Sequence, residues 1–179
     1  MNQVAVRCWA YTMIEQRAVV LDTETTGLTP GKIVDIALVD LATKTVLYQS
    51  LVNPETPIPP EATRIHGITD TMVAQAPVFA EIIPTLDALL RDRICIIFNV
   101  KFDCAFLRAE GLVTAPYRFL CAMTQARQYY GSARFSLQYA CQQEGIDPGR
   151  AHRAVDDALA TCALLHIWAD HAPRELLPF

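Results

Sequence analysis

Two carboxylates interrupt an apolar run near the start of the chain. Val19-Val20-Leu21-Asp22-Thr23-Glu24-Thr25-Thr26-Gly27-Leu28 opens as the β-branched pattern of a buried strand, then places acids at alternate positions. Side chains two apart on a strand share a face, and at about 3.3 Å of rise per residue these two would stand roughly 6–7 Å apart. Anions that close, beside an apolar core, repel each other unless a cation lies between them. Hard oxygen donors select Mg²⁺ or Mn²⁺. The plainer alternative ends the strand at Leu21 and leaves both acids solvated in a loop, since charged residues are mostly exposed.

Two further places put acids where a core element should bury something. Asp103 lies in Phe98-Asn99-Val100-Lys101-Phe102-Asp103, just after an apolar strand-like run. His152-Arg153-Ala154-Val155-Asp156-Asp157 opens the last helical stretch. Four carboxylates meeting at the ends of core elements would make a two-metal site, with cations about 3.5–4 Å apart driving in-line attack on a phosphodiester. His152 and Asp157 lie five positions apart. On a helix that is about 140°, so they would face different ways. To cooperate, His152 must sit on the loop before the helix and Asp157 on it, a mobile base beside a fixed ligand. Asp156 is the rival ligand, and periodicity does not choose, because this helix is apolar nearly all round.

The elements that must position these groups follow from pattern. Strands are expected at residues 18–21, 33–41 and 45–52, with the short Ala42-Thr43-Lys44 link making the last two antiparallel neighbours. Four prolines in Asn53-Pro54-Glu55-Thr56-Pro57-Ile58-Pro59-Pro60 give a stiff loop. Pro60 suits the first turn of a short helix that His66-Gly67 ends. Thr69 or Asp70 caps a brief helix through Val73. Phe79, Ile82, Ile83, Leu86, Leu89 and Leu90 recur at helical spacing, with Pro84 expected to kink or restart that helix. A strand at 94–98, a helix at 102–109 closing at Gly111, a strand at 118–121 and a helix at 121–130 follow. Ser136 caps the next helix and Gly145 stops it. The last helix covers about 154–170. Three strands in sequence, then alternating helices and strands, define an α/β domain with a mixed sheet over 18–179. Residues 1–17 form an N-terminal extension. They are either a helix packing on the domain or the product of a misassigned start, with Met13 as the real one. Glu15 and the lack of a small-residue cleavage site exclude a signal peptide.

The 179 residues suit one domain. A hydrophobic fraction of 52% with 19% charged residues excludes a disordered chain. A net charge of −4 excludes holding nucleic acid by overall charge. Any such site must be local or borrow positive charge from metal. Six dispersed cysteines without a C-x-x-C pair read as small buried hydrophobes of a reducing cytoplasm. No apolar run reaches the ~18 residues of a membrane span.

Together these motifs resemble the DEDD-type 3′→5′ exonucleases, in the DEDDh subgroup with a histidine in the third motif. Asp22-x-Glu24-Thr25-Thr26-Gly27-Leu28 is similar to the first motif, Asn99-x-x-Phe102-Asp103 to the second, and His152-x-x-x-x-Asp157 to the third, which favours Asp157 over Asp156. Ile65-His66-Gly67-Ile68-Thr69-Asp70 also resembles a stretch of proofreading exonucleases such as the polymerase III epsilon type. Cys121-Ala122-Met123-Thr124-Gln125-Ala126-Arg127 and the proline-rich loop are most similar to the exodeoxyribonuclease X branch. The resemblance implies an RNase H-like fold with a five-stranded mixed sheet and two divalent cations, Mg²⁺ or Mn²⁺. By the same resemblance Asp22 bridges both metals, and Glu24 and Asp157 bind the one that activates water. Asp103 holds the second, and His152 takes the proton of the attacking water. A base must be neutral to act, so activity should fall toward acid pH. The family usually has a histidine where Phe98 stands, which bears on local loop geometry rather than on the ligands.

Thr25, Gly27, Leu28, His66 and Asn99 are the substrate-binding candidates. His66 would touch the terminal sugar or simply end a helix, and Leu28 would wedge between bases or lie in the core. Lys101, Arg127, Arg134 and Arg153 are candidate phosphate contacts or plain surface residues. Tyr129, Tyr130 and Phe135 stack on bases or, by the blander reading, in the core. His166 and His171 read as structural or exposed. The expected partner is nucleic acid with a free 3′ end, DNA before RNA, since oligoribonucleases typically carry methionine where this chain has Thr25. No membrane partner is expected. A homodimer is compatible with the sequence and unproven, and the stop at Pro178-Phe179 favours a freestanding enzyme over a polymerase-bound one. The competing class is a nucleic-acid-binding module without turnover, and the complete set of acids speaks against it.

Overall fold

Three consecutive β-branched runs build one half of the sheet, as their short links require. In a computed structural model, residues 3–28, 31–114, 117–132, 135–149 and 152–177 are described. In chain order the elements are α1 Gln3–Glu15, β1 Val19–Thr25, β2 Ile33–Asp40, β3 Val46–Leu51, α2 Pro60–His66, α3 Asp70–Val73, α4 Phe79–Leu90, β4 Ile94–Ile97, α5 Val100–Ala109, β5 Arg118–Cys121, α6 Ala122–Tyr130, α7 Leu137–Glu144 and α8 Ala154–Asp170. A 3₁₀ turn, Arg174–Leu176, follows. The sheet order is β3-β2-β1-β4-β5, antiparallel among the first three strands and parallel from β1 through β4 to β5.

Alternation along the strands feeds two cores. Val19, Leu21, Ile36, Leu38, Cys95 and Ile97 pack on α4 and α5. Val20, Ala37, Val39 and Ile96 face the other way, against α1, α6 and α8. The N-terminal extension is helical, and α1 buries Val6, Ala10 and Met13 in this second core. No helix among the described residues is long and apolar enough to cross a membrane.

Three details depart from the sequence pattern. First, β1 does not end at Leu21. It pairs with β2 as far as Thr25, with Glu24 opposite Asp35. Its pairing with β4 stops at Leu21, opposite Ile97. Past Leu21 the strand is therefore held on one side only, and the crevice on the other side is the space that the acids line. This is the point at which the strand order reverses, where open α/β sheets bind ligands. Second, Pro84 does not restart α4, which stays helical from Phe79 to Leu90. Pro84 and Ala80, whose carbonyl loses its partner, are both exposed. That carbonyl is open to solvent while Phe79, Ile82, Leu86 and Leu90 stay buried. Third, α3 starts at the N-cap Thr69 without a side-chain capping bond, and Asp70 takes another role. Its Oδ1 accepts from Ile58 N at 2.8 Å and ties down the proline-rich loop.

Candidate active site

Asp22 and Glu24 share β1's α8-facing side with Val20, and both remain half-buried. Asp103 arrives from the opposite layer. α5 begins just past β4, and the Asn99 carbonyl accepts from Phe102 N at 2.9 Å and Asp103 N at 3.3 Å to start it. Asp103 is only 3% exposed. Its Oδ1 accepts a 2.7 Å hydrogen bond from Thr23 Oγ1. Thr23 lies between the two strand acids, so alternation turns it toward α5, where it aligns the third acid. The sequence reading missed Thr23, although a hydroxyl between alternating acids was the available signal.

The third motif is built as its spacing required. His152 lies before α8, and Asp157 sits in the helix. Asp157 Oδ2 accepts from His152 N at 3.2 Å. Asp156 lies instead against Gly149 and beside Lys44 and Ile146, away from the other acids. Asp157, not Asp156, therefore faces the other acids. Asp22, Glu24, Asp103, His152 and Asp157 all line one pocket of about 360 Å³. Donor atoms of Glu24, His152 and Asp157 lie within 4.8 Å of one another.

The electrostatics are those of a crowded anionic site. Burial, then the neighbouring Asp103, Asp157, Glu24 and Asp35, push Asp22 well above the usual carboxylate range. Burial followed by Asp157, Asp35 and Asp103 pushes Glu24 up to about 8, with Arg153 opposing. Burial pushes Asp103 up to about 7 against the Thr23 hydrogen bond. Asp157 is also raised by burial, with His152 opposing. Hard oxygen donors that repel each other at this range fit divalent cations, whose charge reverses each of these shifts.

A second pocket of about 460 Å³ adjoins the first and shares Glu24, Phe102 and His152 with it. Thr25, Gly27, Leu28 and His66 line it, whereas Asn99 lines the acidic pocket. Thr25 Oγ1 donates to the Gly27 carbonyl at 2.8 Å. Gly27 has φ +142°, which suits glycine. Leu28 is 82% exposed, so the core reading fails for it. Ile65, 58% exposed on the facing wall, escaped sequence reading because a lone apolar helix residue carries no signal. His66 is buried, its Nδ1 accepts from Ile68 N at 3.0 Å, and its Nε2 has no partner among the described residues. Burial holds its pKa below the ordinary value.

The remaining candidates fall mostly on their blander side. Arg153 is not a free phosphate arm, because its guanidinium pairs with Asp35. Lys101 and Arg127 are exposed and line neither pocket, and Arg134 lies outside the described residues. Tyr129 stacks on Trp168, and Tyr130 on Phe135, which also lines the acidic pocket. Phe98 is buried, and its carbonyl accepts from Met123 N at 2.9 Å, anchoring α6 to β4. His166 Nε2 and His171 Nδ1 each sit 2.8 Å from a backbone carbonyl, those of Leu41 and Ile167. All six cysteines are free thiols.

A mixed five-stranded sheet with acids gathered at the end of its central strand defines the class, an RNase H-like α/β nuclease fold. Residues 19–165 match a family model, RNase T, described as an exonuclease. The chain belongs to that family, the DEDD-type exonucleases. It is 34% identical over 171 residues to the uncharacterized exonuclease CP81 of Escherichia phage 186, covering 85% of this chain and 88% of the phage protein. It is 32% identical over 167 residues to the DNA polymerase III epsilon subunit of Rickettsia prowazekii (strain Madrid E), covering 86% of this chain and 72% of that subunit. Among solved structures it resembles Exonuclease X in complex with 5′ overhanging duplex DNA, at 31% identity and a TM-score of 0.69 over 86% of this chain and 91% of that one.

Proposed function

We propose that this exonuclease is metal-dependent, removes nucleotides from the 3′ end of DNA and releases nucleoside 5′-monophosphates. The observation that carries the reading is the single pocket in which Asp22, Glu24, Asp103, Asp157 and His152 meet. Asp22, with Glu24 and Asp157, would hold the cation that activates the water, and Asp22 with Asp103 the one that steadies the leaving oxygen. Bound Mg²⁺ or Mn²⁺ supplies an acidified water and neutralises charge on the leaving oxygen. His152, on the rim beside Glu24 and Asp157, accepts the proton of the attacking water. Thr23 fixes the Asp103 carboxylate through its hydroxyl. The apolar pocket from Thr25 to Leu28 and across to His66 holds the terminal nucleoside, with Leu28 and Ile65 on its flanks. Charge for the phosphate comes from the bound cations, which suits a chain of net charge −4. Exonuclease X in its duplex DNA complex and the relatives from a DNA polymerase support DNA over RNA.

The test is one single strand carrying distinct labels at its two ends, incubated with Mg²⁺. The 3′ label should appear at once as a mononucleotide while the 5′ label passes through progressively shorter strands. Chelator or Asp22→Ala should stop both, and a matched RNA strand should react more slowly. Release of the 5′ label first would refute the polarity, and activity surviving chelation would refute the mechanism.

A further inference from the structure

Asp35 and Arg153 form a buried ion pair that the chemistry above leaves unused. Asp35 is fully buried on β2, directly opposite Glu24 in the antiparallel register, so both carboxylates project from the same sheet face. Arg153 Nε donates to Asp35 Oδ2 at 3.0 Å, and the arginine side chain is 17% exposed. A buried pair of this kind adds little net stability, because desolvation offsets the attraction. Its value lies in where it fixes the chain.

Arg153 follows His152 directly and is the N-cap of α8. His152 has φ +64°. A non-glycine residue keeps that left-handed conformation only where its surroundings over-determine it. Polar ties hold the backbone at this point, besides the Gln138 contact to the ring. Asp157 Oδ2 accepts from His152 N, and Asp157 N donates to the Arg153 carbonyl at 3.0 Å. Both of these are internal to the start of α8 and would travel with it. Among the described residues, only the bonds to Asp35, from the Arg153 guanidinium and from the Ala154 backbone N–H, fasten the segment to the sheet that carries Asp22 and Glu24.

We propose that Arg153 is a positioning residue, whose pairing with Asp35 holds His152 over the carboxylates of the cation site. The inference rests on the proposed nuclease chemistry for its kinetic part and on the metal-free fold for its structural part. Without the tether, His152 sits off the line of the attacking water. A displacement of about 1 Å can cost roughly a hundredfold in rate.

The test compares wild type with Arg153→Met and with the double variant Asp35→Asn/Arg153→Met. Arg153→Met should lower kcat by about ten- to a hundredfold with KM nearly unchanged, and should lower the melting temperature by stranding the Asp35 charge. The double variant removes that charge, so its melting temperature should recover while its kcat should not. Imidazole NMR of the metal-free protein gives a readout without turnover. The His152 ring signal, assigned by its loss in His152→Ala, should shift or broaden in both variants. Recovery of kcat together with melting temperature in the double variant would reduce the pair to a structural one and overturn the proposal. So would a wild-type His152 signal in Arg153→Met. If wild type proves to have no nuclease activity, the proposed function fails, and the ring signal alone decides the positioning role.

Discussion

The two pockets that meet at Glu24, Phe102 and His152 are made of opposite materials. The acidic one is held by regular structure: the end of β1, the first turn of α5 and the first turns of α8. Its side chains are locked by hydrogen bonds such as Thr23 to Asp103 and His152 N to Asp157. The neighbouring pocket is walled by the loop after β1 and the outer face of α2, with Leu28 and Ile65 standing free on its flanks. Charge placed by rigid elements can be set to within the tolerance that chemistry needs. Shape presented by a loop and a short helix can vary without disturbing it. The two pockets should therefore fail differently when mutated, one in turnover and the other in affinity.

The largest effect should come from the acidic pocket and should be sharp in register. Asp157→Asn removes a charge from the site and should lower kcat by about a thousandfold, roughly 4 kcal/mol of transition-state stabilisation. Asp156→Asn, one residue earlier but turned toward Gly149, should stay within about threefold of wild type. Steady-state kinetics on a 3′-hydroxyl oligonucleotide checks both. Comparable losses at the two positions would mean that the helix face has been assigned wrongly.

That register shows what the sequence could and could not say. Asp22 and Glu24 were legible because alternation is local, and Ser136 and Gly145 because caps are local: Tyr139 N does donate to Ser136 Oγ, and Gly145 is left-handed. The choice between Asp156 and Asp157 was not local, since it depends on where the His152 backbone lies. The length of β1 was misread because β2, not β1's own sequence, holds Asp22 to Thr25 in the strand. For Arg153 the sequence offers only a phosphate contact or a plain surface residue, because its partner Asp35 is 118 positions away. In the sequence Pro84 suggests a kink or restart, because the composition of α4 does not reveal which of its carbonyls faces solvent, and the helix continues through it.

The second effect is thermodynamic and separates the pockets without substrate. The carboxylates of Glu24 and Asp103 titrate near 8 and 7 in the folded, metal-free protein. In the unfolded chain such groups titrate near 4. The native state therefore binds more protons, so their contribution to stability is present at low pH and is lost as pH rises from about 4 toward 8. The metal-free melting temperature should fall between pH 5 and pH 8. Mg²⁺ or Mn²⁺ should restore it, and more at pH 8, where the ligands are already ionised. At a hundred times its dissociation constant a cation adds about 2.7 kcal/mol. For a chain of this size that is roughly 5–10 °C. Calorimetry with and without metal at the two pH values checks the sign. A metal-free protein that is more stable at pH 8 would contradict the crowding of the acids.

Changes in the apolar pocket should act on binding. Leu28→Ala and Ile65→Ser each remove an exposed apolar side chain that a bound nucleoside would cover, about 1.5 kcal/mol apiece. KM should rise roughly tenfold for each, with kcat within about twofold of wild type, the signature of a contact made equally in ground and transition states. A fall in kcat of the same size would show that these residues also aim the scissile phosphate, and the division between the two pockets would be less clean than their linings suggest.

The smallest expected effect lies on the border between them. Gln138, exposed on α7, places its side-chain Nε2, a donor only, 3.0 Å from His152 Nε2, so in the structure the ring accepts there. For His152 to accept the water's proton at Nδ1, Nε2 must carry one, which requires the Gln138 amide to turn over and present its oxygen in place of its nitrogen. An exposed hydrogen bond of this kind is worth about 0.5–1 kcal/mol. Gln138→Ala should accordingly lower kcat by about two- to fivefold at unchanged KM. Gln138→Glu keeps an acceptor at the same reach and should retain most of the activity, whereas Gln138→Lys offers only donors and should behave like Ala. The reverse order, with Lys tolerated and Glu not, would show that Nε2 is the unprotonated atom and that the ring faces the water with its other edge.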